Sequence, residues 1–174
     1  LHQFDPESME FAAGAKLHEI GQCNSCHFYG EEFPTGDAPT WAPNLALTKE
    51  RLNPGWVTEW LKNPGAIMPG TKMPAPYVPD SEILSMEGAE NDWGKALVAI
   101  DGDTIAMLDG LRDYLWNIKG PTNIDAQIKA YFAENGYDFD SESGDEYEDD
   151  DDDWGDDEED DLSLIHISEP TRHA

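Results

Sequence analysis

Apolar residues recur at helical spacing along the chain, and strands do not alternate with helices. A first helix is predicted to start at Asp5–Ser8 and to run to about Gln22, with Gly14, Leu17 and Ile20 on its packed face. A last long helix is predicted from about Thr104 to Lys119, with Asp103 as its N-cap. Its apolar stripe consists of Ile105, Leu108, Leu111, Leu115 and Ile118. The pattern predicts an all-α chain.

Shorter elements are predicted between and after these two helices. Residues 28–47 are rich in Gly, Pro and Thr and are expected to form a loop. Asn53-Pro54 starts a short helix, and residues 80–100 hold one or two more around Trp93. A further amphipathic helix is predicted for residues 124–135. Its apolar side consists of Ile124, Ile128, Tyr131 and Phe132.

Charge divides the chain into two unequal parts. The net charge is −28, of which −10 lies in residues 1–120 and −18 in residues 121–174. The nearly uniform acidic block 138–161 repels itself and contains too little apolar surface to fold, so a disordered tail is expected. The tail either has no target, docks to a basic redox partner or loosely binds divalent cations. Its charge argues against nucleic acid and against anionic membranes.

The predicted domain organisation follows from these shifts in composition. We expect a domain over 1–120, an additional helix over 121–137 and the acidic tail over 138–161. Residues 162–174 resemble a translated sequencing adapter, and they are left out of the functional reasoning. No apolar run reaches the roughly 18 residues of a membrane span. The chain starts at Leu1 rather than at methionine, which suggests a processed or excised product.

The most informative motif is Cys23-Asn24-Ser25-Cys26-His27, which contains both cysteines of the chain. This C-x-x-C-H spacing is the attachment signal for c-type haem. Two thiols about one helical turn apart can each bond a porphyrin side group, and the next residue then carries its imidazole beneath the iron. The motif predicts a protein that moves single electrons.

Three other interpretations of the motif are weaker. A thioredoxin-like dithiol requires a βαβ setting, which the pattern does not predict. A zinc site requires about four ligands, and the remaining histidines form no second pair at finger spacing. A disulfide between Cys23 and Cys26 would close too small a loop to stabilise much.

Several segments resemble the class I cytochromes c. Pro69-Gly70-Thr71-Lys72-Met73 resembles the family's distal-methionine loop, in an ungapped match that starts at Glu59. Ala42-Pro43-Asn44-Leu45 resembles its Gly-Pro-Asn-Leu segment, and residues 111–115 resemble its C-terminal helix. The resemblance implies N- and C-terminal helices that cross around one covalently attached haem c. The family often has an aromatic residue where this chain has His18, which puts the usual inter-helix ring contact in doubt.

The resemblance also implies which residues contact the haem. Cys23 and Cys26 would attach it, and His27 and Met73 would be the axial ligands. The rival methionine, Met68, corresponds to a residue that lines the haem pocket. The Pro43 carbonyl would accept the second ring N–H of His27. The pocket residues implied in this way are Pro43, Asn44, Leu45, Trp60 and Met68.

Two further expectations concern the Trp60 indole and the remaining methionines. The indole N–H of Trp60 is expected either to donate to the Met73 sulfur or a haem propionate, or only to pack against the porphyrin. Met9, Met86 and Met107 are expected to be ordinary core residues.

We therefore expect an electron-transfer protein rather than an enzyme. It would relay one electron between extracytoplasmic redox proteins, in the periplasm or outside the cell, and a missing N-terminal segment could tether it. The acidic surface predicts a partner with a basic patch and an association that weakens as salt rises. Two alternatives stay open: a haem c relay domain from a larger membrane redox complex or oxidase, and a ligand sensor whose haem has an open sixth site.

Overall fold

Nine α-helices and short irregular segments make up residues 2–136, the part of the chain that the computed structural model describes. The helices are α1 (Met9–Ile20), α2 (Thr48–Arg51), α3 (Pro54–Lys62), α4 (Pro64–Ile67), α5 (Ser81–Leu84), α6 (Ala89–Trp93), α7 (Lys95–Ile100), α8 (Thr104–Asn117) and α9 (Asp125–Glu134). Within residues 2–136 there is no strand, only two isolated β-bridges. The prediction of a helical chain is confirmed there. The predictions for 138–161 and 162–174 lie outside the described residues.

The two longest helices begin at side-chain caps. The Ser8 hydroxyl accepts a hydrogen bond from the Phe11 N–H at 3.1 Å and caps α1. The Asp103 carboxylate, the predicted cap of α8, accepts one from the Ala106 N–H at 3.0 Å. Each cap satisfies a backbone donor that has no partner within its helix. α8 ends at Asn117, two residues before the predicted end.

Two glycines allow α1 and α8 to cross in backbone contact. A β-carbon at Gly14 would collide with the backbone of Gly110, and one at Gly110 would collide with the carbonyl group of Glu10. Gly14 was predicted to face the core, but Gly110 was not singled out. Any larger side chain at either position would separate the helices.

The core forms around this crossing. From α1, Leu17 is 1 % exposed, and from α8, Leu108 and Leu111 are equally buried. Leu97 of α7 and Leu61 of α3 also belong to this cluster. The predicted stripe of α8 is therefore correct at its centre.

Other sequence predictions were wrong in detail. Residues 80–100 contain three short helices rather than one or two, because residues 85–88 and Gly94 are not helical and separate them. Ile105 is 44 % exposed, and the buried residue of that turn is Met107. Met9 and Met86 are 51 % and 62 % exposed, so they are not core residues. Only Met107 is core as predicted.

A chain of charged and polar groups joins α8 to α3 and to the N-terminus. Arg112 donates to the Asp109 carboxylate at 2.6 Å and to the Asp113 carboxylate at 2.8 Å. Asp109 also accepts the Thr58 hydroxyl at 2.7 Å, and Asp113 lies 2.6 Å from the His2 ring nitrogen. Since both carboxylates are shared, this network fixes the outer face of α8 against its neighbours.

We expect Gly110→Ala to lower the free energy of unfolding by about 3 kcal/mol, because the added methyl group forces the two backbones apart. Urea denaturation of the full chain measures the loss. Gly55→Ala is the matched control, because its β-carbon meets only the Asn53 side chain at 3.4 Å. The packing account fails if both variants have the stability of the original chain.

Candidate functional site

The two cysteines lie in a tight turn directly after α1. The turn is a 3₁₀-helix over Cys23–Ser25, and it starts at Gln22 with a left-handed φ of 47°. The backbone N–H groups of Cys26 and His27 both donate to the Cys23 carbonyl, at 3.3 and 3.0 Å. Both thiols are free and partly buried. Burial raises the pKa of the Cys23 thiol, so the thiol is protonated near pH 7.

The ring of His27 is held by one hydrogen bond. Its Nδ1 lies 2.8 Å from the Pro43 carbonyl oxygen, which is the acceptor that the sequence suggested. The backbone supports this contact, because the Ala42 N–H donates to the Cys26 carbonyl at 2.8 Å. Burial lowers the pKa of His27, and the bond to Pro43 opposes that shift. A neutral ring that donates from Nδ1 keeps Nε2 unprotonated and able to bind a metal.

Asn44 connects three segments around the motif. Its side-chain amide donates to the carbonyls of Gly30 and Pro121, at 3.0 and 3.2 Å. Its side-chain oxygen accepts the N–H groups of Gly30 and Ala46, at 3.0 and 3.1 Å. Asn44 is 8 % exposed, so these bonds use a polar group that would otherwise be buried without partners. Asn44 therefore fastens the loop rather than presenting its side chain to solvent.

The predicted methionine lies in a second group of contacts. The Trp60 indole N–H donates to the Met73 sulfur at 2.9 Å. The ring of Trp60 stacks on that of Trp56, with centroids 5.2 Å apart and planes 16° apart. Met73 also packs against the core, whereas Met68 is 56 % exposed. Of the two expectations for Trp60, the structure has the hydrogen bond to sulfur. The choice of Met73 over Met68 as a ligand stays a prediction.

Among the described residues, the group around His27 and the group around Met73 meet at the core and not through hydrogen bonds. Leu45 and Met73 both pack against the same core cluster. Within residues 2–136, no hydrogen bond joins the group around His27 to that around Met73. Two shallow surface depressions, one around Leu84 and Val98 and one around His2 and Trp116, contain none of the predicted haem contacts.

The described residues also bear on the other interpretations of the motif. Between residues 2 and 136, no group of three or more His, Cys, Asp or Glu side chains is placed so that it could hold a metal ion. No helix in this part of the chain is long and apolar enough to cross a membrane.

His18 takes part in the ring contact that the sequence put in doubt. Its ring lies 4.7 Å from that of Tyr114 on α8, so an imidazole fills the place of an aromatic residue. Its Nε2 also pairs with the Tyr29 hydroxyl. Burial lowers the pKa of His18, and the nearby His27 lowers it further. Burial also raises the pKa of Tyr29 well above its ordinary value. Both groups are therefore neutral near pH 7.

Part of the chain is similar to a subunit of a known oxidase. The chain is 37 % identical over 83 residues to cytochrome c oxidase subunit 2 of Bacillus subtilis (strain 168). The match takes in 42 % of this chain and 23 % of that subunit, so the chain spans less than a quarter of the relative's length. No family model matches, and no solved structure matches.

Sequence reasoning missed the aromatic packing beside the motif. Trp41 contacts Phe28 at 5.1 Å and Tyr131 of α9 at 5.0 Å between ring centroids. The available signal was a concentration of aromatic residues in a loop rich in Gly and Pro. Such residues have no helical period, so the pattern search could not assign them to a packed face.

The lowered pKa of His18 makes a prediction about stability and pH. The unfolded chain binds this proton more readily than the folded chain. The neutral, buried His18 ring therefore makes its full contribution to the free energy of unfolding above an unfolded pKa of about 6.5. This contribution is lost as the pH falls below that value. We expect His18→Gln, which keeps a polar partner for Tyr29, to lose less stability than the original chain between about pH 7 and pH 5.5. Urea denaturation at the two pH values measures the difference, and equal losses in both proteins would contradict the assignment.

Proposed function

We propose that this chain is an electron-transfer domain of the class I cytochrome c type. It would carry one haem c, attached through Cys23 and Cys26 and ligated by His27 and Met73. The observation that carries the proposal is the bond from His27 to the Pro43 carbonyl beside two free thiols, because it leaves Nε2 available to a metal. When bound, the haem supplies an iron that alternates between ferric and ferrous states.

The residues present are suited to such a group. Haem c takes two thiols that bond its porphyrin side groups, and an imidazole and a thioether that bind its iron, and this chain has two unpaired thiols, an imidazole with one free nitrogen and a thioether. A thioether sulfur has two lone pairs, so the bond from Trp60 leaves one for the iron. The methionine loop also exposes apolar surface at Ile67 and Met68, 42 % and 56 % exposed, which a flat apolar group would cover.

The residues of the chain would hold and tune the group rather than react. Pro43 orients the His27 ring, and Trp60 orients the Met73 sulfur. Ligands on both sides would leave no position for a substrate, which favours a relay over a catalyst. His/Met ligation also raises the reduction potential above that of two histidines.

The partner would be an extracytoplasmic redox protein with a basic docking patch. Residues 80–103 contain seven acidic side chains and one lysine, whereas residues 51–79 contain one acidic side chain, Glu59. Glu59 is paired with Lys62 at 3.2 Å. A basic partner would therefore be steered to the acidic part of the surface. The possible cation binding by 138–161 stays a prediction.

The likeness to an oxidase subunit favours a second version of the proposal, in which this domain belongs to a larger redox complex. The chemistry of the site is the same in both versions. An antibody against residues 1–120 distinguishes them on a blot of native cell fractions. Membrane-bound reactivity at a size far above that of 174 residues supports the larger complex, whereas reactivity only in a small periplasmic protein excludes it.

The proposal is tested by the optical spectrum of the full chain produced with a haem-maturation system. We expect a haem that resists acidified acetone and a methionine–iron band near the red edge of the spectrum. Met73→Ala should lose that band and bind carbon monoxide when reduced, because a position on the iron opens. Met68→Ala is the matched control and should keep the band.

Two results would oppose this proposal. Colourless protein after correct maturation would refute haem attachment. Carbon monoxide binding by the reduced original chain would favour the ligand sensor with an open sixth site.

The indole of Trp60 makes a separate prediction about the reduction potential. A hydrogen bond to the sulfur withdraws electron density that would otherwise stabilise ferric iron. We therefore expect Trp60→Phe, which keeps an aromatic ring, to lower the midpoint potential while the methionine–iron band remains. Redox titration measures it, and Trp56→Phe serves as the control because Trp56 makes no bond to sulfur. A potential that stays the same in Trp60→Phe would mean that the bond has no electronic effect.

A further inference from the structure

The segment after α8 returns to the loop that follows the cysteine motif. Its first anchor is a close approach of two glycines with positive φ, Gly30 at 61° and Gly120 at 150°. A β-carbon on either would lie within 2.9 Å of the other's Cα atom, so no larger residue fits. Asn44 adds hydrogen bonds to Gly30 and to Pro121 from the same buried amide. The start of this returning segment is thereby joined to the loop. We name residues 120–134 the C-terminal strap.

The second anchor is a cluster of five aromatic rings. Tyr131 of α9 stacks on Phe33 at 5.4 Å and tilts against Trp41 at 5.0 Å. Phe132 contacts Trp41 at 5.5 Å, and Phe28 contacts both Phe33 and Trp41. We call Phe28, Phe33, Trp41, Tyr131 and Phe132 the ring cluster. Aromatic pairs of this kind contribute about 0.5–1.5 kcal/mol each beyond their buried area.

The strap packs mainly on this loop. Within residues 2–136, α9 makes no extensive contact with another helix. None of the residues of α9 is fully buried, and Tyr131 is 38 % exposed. The contacts that attach it include the ring cluster, the buried Ile124 at its N-cap and a weak bond of 3.4 Å from Gln127 to Glu31.

The ring cluster lies next to the residues that hold the His27 ring. Phe28 directly follows His27, and Trp41 lies two residues before Pro43. The Trp41 indole N–H donates to the Gly36 carbonyl at 2.9 Å, which fixes the indole in the loop. Ala42 lies between Trp41 and Pro43 in the sequence, and its N–H donates to the Cys26 carbonyl at 2.8 Å. Movement of Trp41 would therefore move the carbonyl that accepts from His27.

We propose that the C-terminal strap is a positioning element for His27, in which Tyr131 and Phe132 pack on Trp41 and hold the Pro43 carbonyl against Nδ1 of the imidazole. The inference rests on the proposed function for the role of His27 as a ligand. It adds that the strength of this ligand depends on a helix outside the expected domain 1–120. A firm bond at Nδ1 makes the imidazole a better donor.

The test compares three forms of the full chain, all produced with haem maturation. Tyr131→Ala/Phe132→Ala removes the strap's two rings. Lys129→Ala/Glu134→Ala changes two exposed residues of the same helix and is the matched control. Tyr131→Phe/Phe132→Tyr keeps both rings and serves as the rescue. In the reduced protein, we expect hydrogen exchange at His27 Nδ1 to become about tenfold faster in the ring-removed form alone, which corresponds to about 1.4 kcal/mol.

Two further measurements separate positioning from general stability. The midpoint potential should rise in the ring-removed form, because a less firmly bonded imidazole stabilises ferric iron less. Amide exchange in α1 and α8 should stay unchanged. The proposal is overturned if exchange at Nδ1 is the same in all three forms. It is also overturned if α1 and α8 lose protection together with Nδ1, since the strap would then be only a stabilising element.

Failure of the proposed function would be visible before this comparison. If the matured chain is colourless, the haem proposal fails, and the same three forms are compared by the ¹⁵N shifts of the His27 ring. A switch from the Nδ1–H to the Nε2–H tautomer in the ring-removed form alone would still support the strap. An unchanged tautomer would refute it.

Discussion

The backbone contact between α1 and α8 at Gly14 and Gly110 is the constraint on which the rest of the structure depends. Because the two backbones are in contact, Leu17 and Leu111 interdigitate in one core, and the other helices pack around α1 and α8. The end of α1 sets the start of the cysteine turn, and the end of α8 sets the start of the C-terminal strap. Both sides of the loop around His27 are therefore placed by one crossing. A small shift at this crossing would move both the cysteine turn and the C-terminal strap, because packed interiors transmit strain.

The candidate site has two halves that are organised in the same way. On one side, the Pro43 carbonyl uses the Nδ1 hydrogen of His27, and on the other, the Trp60 indole uses a lone pair of the Met73 sulfur. In each case the neighbouring group bonds to a position that a metal would not need, which is Nδ1 of the imidazole or one lone pair of the sulfur. This leaves an imidazole nitrogen and a sulfur lone pair with defined directions. Both features are what the proposed ligating role of His27 and Met73 requires.

The sequence predicted the parts of the fold that follow from local rules. The start of α1 near Asp5–Ser8, the cap Asp103 and the start of α3 at Asn53-Pro54 depend on nearby residues, and the structure has helices there. The motif spacing predicted a site at Cys23, Cys26 and His27, and in the structure these residues share one tight turn after α1. Gly110, the ring cluster and the exposure of Met9 and Met86 were not predicted. They depend on which segments meet in space, and a single sequence has no period or spacing that reports those meetings.

The stack of Trp56 on Trp60 has a consequence for communication between the surface and the sulfur. Trp56 is 39 % exposed and stacks on Trp60, whose indole N–H donates to the Met73 sulfur. A molecule that bound Trp56 and moved its ring would displace the stacked ring of Trp60, and the hydrogen bond from Trp60 to the thioether would change in strength. Linkage makes this coupling reciprocal, so the electronic state of the sulfur alters how firmly Trp56 can be held from outside. Binding at Trp56 and a change at the thioether are therefore linked by one coupling free energy.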